Sequence, residues 1–192
     1  MLKPNNYDNI KTFGEFTPLE LGGHILVIKK VVESKTTQGK DMVTILFDTH
    51  TTDKQPNFYT EQYKRDTRPK AEKKWGGFKI EFPYKANGDV NPFFKVFTDS
   101  VAKSNNGWQV QWDKEGEATG VFANCFVGKL VGGVFGKEEY LYNGEKKMGT
   151  KCVAFRSVEA IKAGVQVPKD NLLSGSNDNE DLIPIDDGDM PF

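Results

Sequence analysis

Two stretches of this chain hold residue types that could do binding chemistry. Positions 54–79 interleave Lys64, Arg65, Arg68, Lys73 and Lys74 with the rings of Tyr59, Tyr63 and Trp75. Cations strung along a segment neutralise phosphates, and aromatic faces between them stack on unpaired bases at ~1–3 kcal/mol each. The second stretch is Asp186-Asp187-Gly188-Asp189-Met190-Pro191-Phe192. It sets an apolar ring and an α-carboxylate beside three side-chain carboxylates. A hydrophobic pocket rimmed by Arg or Lys would capture all of them together. Phe192 would anchor such a contact, as desolvated aromatics do. Asp186, Asp187 and Asp189 would steer the encounter.

Bond-making chemistry has weaker footing. Gly132-Gly133-Val134-Phe135-Gly136-Lys137 has the look of a phosphate loop, but Glu138 stands where Ser or Thr must hold Mg²⁺. Gly144 and Gly149 have the right gap, yet Thr150-Lys151 reverses the required order. His24 and His50 have no Cys at metal spacing. The carboxylates form no repeated motif of the two-metal kind. We therefore expect no enzyme, no cofactor and no metal. Further binding positions are Lys29 and Lys30, which interrupt an apolar run, and Trp108, which follows Gly107. Trp108 and Trp112 lie four apart on an alternating segment and should share a face, with Trp108 the more exposed. Any one of these rings could instead pack in the core, and any one lysine could be ordinary surface. The cluster at 54–79 is stronger than its members.

The elements that must position these residues are mostly strands. His24–Glu33 is apolar and β-branched, Thr36–Lys40 is turn chemistry, and Met42–Asp48 alternates with Val43, Ile45 and Phe47 on one side. These predict a long hairpin. Residues 51–79 read as an excursion with a short helix around 60–74. Pro92–Ser104 predicts a helix whose apolar face is Phe93, Phe97 and Val101, with Phe94 alongside. Trp108–Trp112, Val121–Phe135, Glu138–Tyr142 and Lys151–Val158 read as strands, with Asn143-Gly144 as a hairpin turn. Residues 158–164 suggest a helical turn, and Phe13, Phe16 and Pro18 should pin an irregular lead-in. The sum is a mainly β body: an OB-like five- to six-stranded Greek-key barrel with one helix and a long basic–aromatic loop.

Composition bounds the rest. The 192 residues suit one domain, and 37% hydrophobic content suffices for a core. No run approaches the ~20 apolar residues of a membrane span. Met1-Leu2-Lys3-Pro4-Asn5 does not read as a secretion signal, so Cys125 and Cys152 are expected as free thiols in a reducing cytoplasm. The net charge of -1 conceals a split. Residues 170–192 hold seven acids and no Lys or Arg, which leaves 20 acids against all 26 basic residues in positions 1–169, a net +6. A basic body with an acidic tail points to a polyanionic partner. We expect residues 1–169 to form the binding domain and 170–192 a disordered acidic tail with a docking tip.

The tip Asp186–Phe192 resembles the C-terminus of bacterial-type single-stranded DNA-binding proteins, which ends in Ile-Pro-Phe or Leu-Pro-Phe; here Met190 takes the place of the Ile or Leu. The body is similar to the single-stranded DNA-binding proteins of phages of Gram-positive hosts. That similarity lies in VIKKVVESKTTQGKDMVTILFD, GKLVGGVFGKEEYLYNGEKK and TKCVAFRSVEAI. The resemblance implies a non-catalytic protein of the bacterial host cytoplasm that coats single-stranded DNA during phage DNA replication and recombination. It implies that Asp186, Asp187, Asp189, Met190, Pro191 and Phe192 recruit replication, recombination or repair proteins. Two other readings stay open. One is an interaction module whose tail imitates such a protein and blocks or hijacks host enzymes. The other is a strand-annealing recombination factor. One body covers few nucleotides, so a homodimer or cooperative array is compatible with the coating role.

Overall fold

The computed structural model describes residues 2–3, 17–114 and 119–173. Five antiparallel strands form one sheet in the order β3-β2-β1-β4-β5. Strand β1 (Gly22–Lys35) and β2 (Asp41–Thr49) make the expected hairpin. Its turn is closed by the Thr36 amide donating to Lys40 O and the Gly39 amide donating to Thr36 O, both at 2.8 Å. The β1–β2 register shifts between Ile28 and Lys30, so Lys29 is the extra residue of a bulge.

After β2 the chain makes helix α1 (Phe58–Arg65) and a 3₁₀ turn at Lys70–Glu72 before the short β3 (Phe78–Glu81). A buried contact secures the turn between β2 and α1. Asp53 Oδ1 lies 2.8 Å from Nδ1 of the fully buried His24, and Asp53 also accepts from the amides of Ile25 and Gln55. Burial pushes the Asp53 carboxyl up, but the hydrogen bonds from His24, Gln55 and Ile25 outweigh it and hold the group below its usual range.

Helix α2 (Pro92–Ser104) starts where the sequence says it should. Pro92 opens it, and the Asn91 side chain caps the Phe93 amide at 3.0 Å. Its buried face includes Phe94, Phe97, Thr98 and Val101, so Phe97 and Val101 lie inside as expected and Phe94 joins them. This is the i, i+3, i+4, i+7 stripe. Phe93, expected inside, is one position off that stripe and is 72% exposed. Phe97 packs against Phe126 and Phe155 with ring centroids 5.2 and 4.9 Å apart, and Phe47 joins Phe135 and Phe155 at 6.2 Å. Full burial of each such ring contributes ~1.5–3 kcal/mol.

One expected strand is absent and another starts late. Residues 108–114 pair with no neighbour in the sheet, and the run expected as a strand from Val121 opens as helix α3 (Val121–Cys125) and becomes strand only at Leu130. Glycines at 120 and 128, with φ of 70° and 77°, break the apolar run at both ends of this segment. Phe122 and Phe126, one helical turn apart, then receive Trp112 and Trp108 at 5.1 and 5.3 Å. The two tryptophans do share a face, but it is set by α3 rather than by strand alternation.

Strands β4 (Leu130–Tyr142) and β5 (Glu145–Arg156) form a second long hairpin around Asn143-Gly144, both at positive φ as a two-residue turn requires. Helix α4 (Val158–Ala163) follows. Of the four α-helices among the described residues, α1, α2 and α4 fall near the short helix, the main helix and the helical turn that were expected, and α3 was not expected. The body also runs beyond position 169. The Asn171 amide donates to Lys137 O at 2.9 Å and its carbonyl accepts from the Glu139 amide at 2.8 Å, which covers part of the β4 edge. No described helix is long and apolar enough to cross a membrane.

Candidate nucleic-acid interface

The basic–aromatic excursion is anchored rather than loose. Asp48, fully buried at the end of β2, accepts from the Tyr59 and Thr60 amides at 2.8 and 3.1 Å and from the Thr60 hydroxyl. A carboxylate thereby satisfies the orphan amides at the start of α1 and complements its dipole. At the other end, Trp75 Nε1 donates to Phe47 O at 3.0 Å and Gly77 O at 3.1 Å. A Cβ on Gly77 would stand 2.3 Å from Phe47 O, so only glycine lets the chain lie this close to β2.

This anchoring corrects two expectations. Tyr59 and Trp75 are buried to 6% and 3% exposure and belong to the core, where Tyr59 meets Phe47 at 5.9 Å. Burial also pushes the Tyr59 phenol far above its usual range. Neither ring offers a free face for a base. Tyr63 is half-buried against Trp75 at 6.1 Å, with Lys73 Nζ 5.1 Å from the centre of its ring. Lys64 and Arg65 are exposed on the last turn of α1, and Lys74 is exposed beside Trp75. Lys64 pairs with Glu61 at 3.0 Å, and Arg68 grips Asp66 at 2.6 Å. The Arg68 guanidinium holds the Asp66 carboxyl down at about 2. These pairs are exposed, so they leave the cations within reach of a phosphate.

A second group of residues joins this one, and sequence reasoning missed it. The distal β4–β5 hairpin carries Tyr140 and Tyr142, at 40% and 55% exposure. Tyr140 stands opposite Lys147, so the two share a face. Lys147 Nζ lies 4.7 Å from the centre of the Tyr142 ring, and Lys151 Nζ 5.2 Å from that of Phe78 on β3. Strand β5 thus comes beside β3, the strand on which the excursion ends. The available signal was the symmetry of tyrosines and lysines about Asn143-Gly144.

Lys30 stands opposite Leu46, and Leu46 opposite Phe78, which places Lys30 in the cross-strand row that ends under Lys151. Lys29 is half-buried at the bulge. Trp108 is half-buried on Phe126, whereas Trp112 is 61% exposed, the reverse of the expected order. Asp186, Asp187, Asp189, Met190, Pro191 and Phe192 lie outside the described residues, as do Phe13 and Phe16.

The result is one end of the sheet where exposed cations alternate with part-exposed rings across two separate chain segments. Compared by sequence, the chain matches no protein-family model and no curated protein.

Proposed function

We propose that this protein is a non-catalytic single-stranded DNA-binding protein with an OB-like body. It coats exposed strands without sequence preference. The observation that carries the reading is the approach of the β4–β5 hairpin, through Lys151, to Phe78 at the end of the basic–aromatic excursion. Lys64, Arg65, Arg68, Lys73, Lys74, Lys147 and Lys151 track phosphates, and Tyr140, Tyr142 and Tyr63 receive bases. OB-folds bind oligonucleotides on the face of strands 2–3 and through the 1–2 and 4–5 loops, and the 4–5 hairpin is the part of that pattern used here. The OB-like reading draws further support from α2 lying between β3 and β4 and from Lys151 on β5 reaching Phe78 on β3. Phage replication and recombination as the setting, and recruitment of partner enzymes through Phe192, rest on the resemblance of the tip and body runs.

Trp75 is buried and Trp112 lies elsewhere, so tryptophan quenching is a poor reporter. The test is anisotropy of a fluorescein-labelled oligo-dT titrated with the full chain at several salt concentrations. Log affinity should fall linearly with log salt, by ~0.7 per phosphate neutralised. Deleting Phe192 should leave this affinity intact while abolishing capture of tip-reading enzymes. Absence of binding at low salt would overturn the proposal.

A further inference from the structure

The far end of the same sheet has a groove that the DNA reading does not use. It lies between the β1–β2 turn, helix α2 and residues 109–113, with a volume of about 650 Å³. Met42, Val43, Phe94 and Phe122 contribute apolar surface, and Trp112 stacks on Phe122 with 61% of its own surface open. Four carboxylates line it, Glu33, Asp41, Asp99 and Asp113, against one cation, Lys95. Three of the four have local partners: Asp41 pairs with Lys35, Asp99 with Lys95, and Asp113 accepts from Thr119 and the Val121 amide. Glu33 has no cationic partner among the described residues. Its carboxyl is pushed up first by burial, then by the like charges of Asp113 and Asp41.

Such a groove repels a phosphate backbone and the chain's own acidic 170–192 segment. It suits a ligand that brings an apolar side chain to Trp112 and a cation to Glu33. We propose that this groove docks a short segment of a protein partner in which Leu- or Phe-type side chains alternate with Arg or Lys. Such a contact would leave the basic end free, so a partner could be held while DNA is bound. The argument rests on charge complementarity and on an aromatic anchor in an open apolar groove.

The test uses the full chain and two labelled decapeptides, one alternating Leu and Arg and its twin alternating Leu and Glu. The Leu-Arg peptide should bind and shift Trp112 emission, and the Leu-Glu twin should not. Trp112→Ala should weaken peptide binding tenfold or more, and Glu33→Gln about threefold. Both variants should keep the parent's urea midpoint and its oligo-dT affinity. Peptide affinity that survives Trp112→Ala would mean capture by the acidic 170–192 segment and would overturn the proposal. Equal binding of both peptides would overturn it as well. If Trp112→Ala instead abolishes self-association in sedimentation, a second copy fills the groove and the proposal fails. It fails too if peptide binding appears only after residues 1–16 are deleted, since the chain's own lead-in would then be the occupant.

Discussion

Strand β2 is about 26 Å long, eight residue steps of ~3.3 Å, and its two ends face different chemistry. At Asp48 and Thr49 the chain turns into α1, and exposed lysines and arginines gather around Tyr63, Tyr140 and Tyr142. At Asp41–Val43 the groove is lined by four carboxylates around an open Trp112. Both ends expose aromatic surface; they differ in the sign of the charge beside it. An aromatic face is indifferent to what stacks on it, whereas the charge selects a polyanion at one end and a cation at the other. On the two proposals, one sheet would hold two unlike partners without either competing for the other's surface.

The largest expected effect separates rings that build this arrangement from rings that use it. Trp75→Ala removes a buried indole and two hydrogen bonds, and should cost ~3–5 kcal/mol of stability. Trp112→Ala, mostly exposed, should cost under ~1 kcal/mol. Urea unfolding of both variants checks this. Similar losses would mean that Trp112 is structural too and that the acidic groove is only part of the core's edge. Next in size is Asp48→Ala, which strips the amides of Tyr59 and Thr60 of their acceptor and should cost ~2 kcal/mol. DNA affinity should fall with it if α1 must be docked to present Lys64 and Arg65. Unchanged affinity would shift the weight of binding onto the β4–β5 hairpin. Tyr142→Ala comes third. Loss of one stacked base at ~1–3 kcal/mol lowers oligo-dT affinity about tenfold with the urea midpoint unmoved. A variant that binds as the parent does would remove the hairpin from the interface.

Much of the frame was legible in the sequence because it depends on local rules. Alternation in Met42–Asp48, the Asn143-Gly144 turn and the Pro92 helix start each act over a few residues. The basic character of 54–79 was legible too, but the roles within it were not. Tyr59 and Trp75 differ from Tyr63 only in what β2 offers them across the fold, namely Phe47 and its carbonyl. Nothing adjacent in the chain encodes that contact. Residues 108–126 misled for a related reason: an alternating aromatic run looks like a strand whether its partner is another strand or the Phe122–Phe126 row of a helix. The hairpin contribution of Tyr140 and Tyr142 required knowing that β5 comes beside β3 at Phe78.

The smallest effect tests the comparison itself. Lys147 lies over Tyr142 at the basic end, and Lys95 is paired with Asp99 beside the acidic groove. Both are surface lysines, and removing either changes the net charge by the same amount. If DNA is held only where phosphates meet cations directly, Lys147→Gln should lower the magnitude of the salt slope by ~0.7, and Lys95→Gln should leave it unchanged. Screening makes this sharp near physiological salt, where the Debye length of about 8 Å is far shorter than the strand separating the two lysines. Equal reductions would mean that the DNA contacts both lysines and runs along the whole strand. The two ends would then form one continuous surface, and the groove's carboxylates would become a local defect in it rather than a separate site.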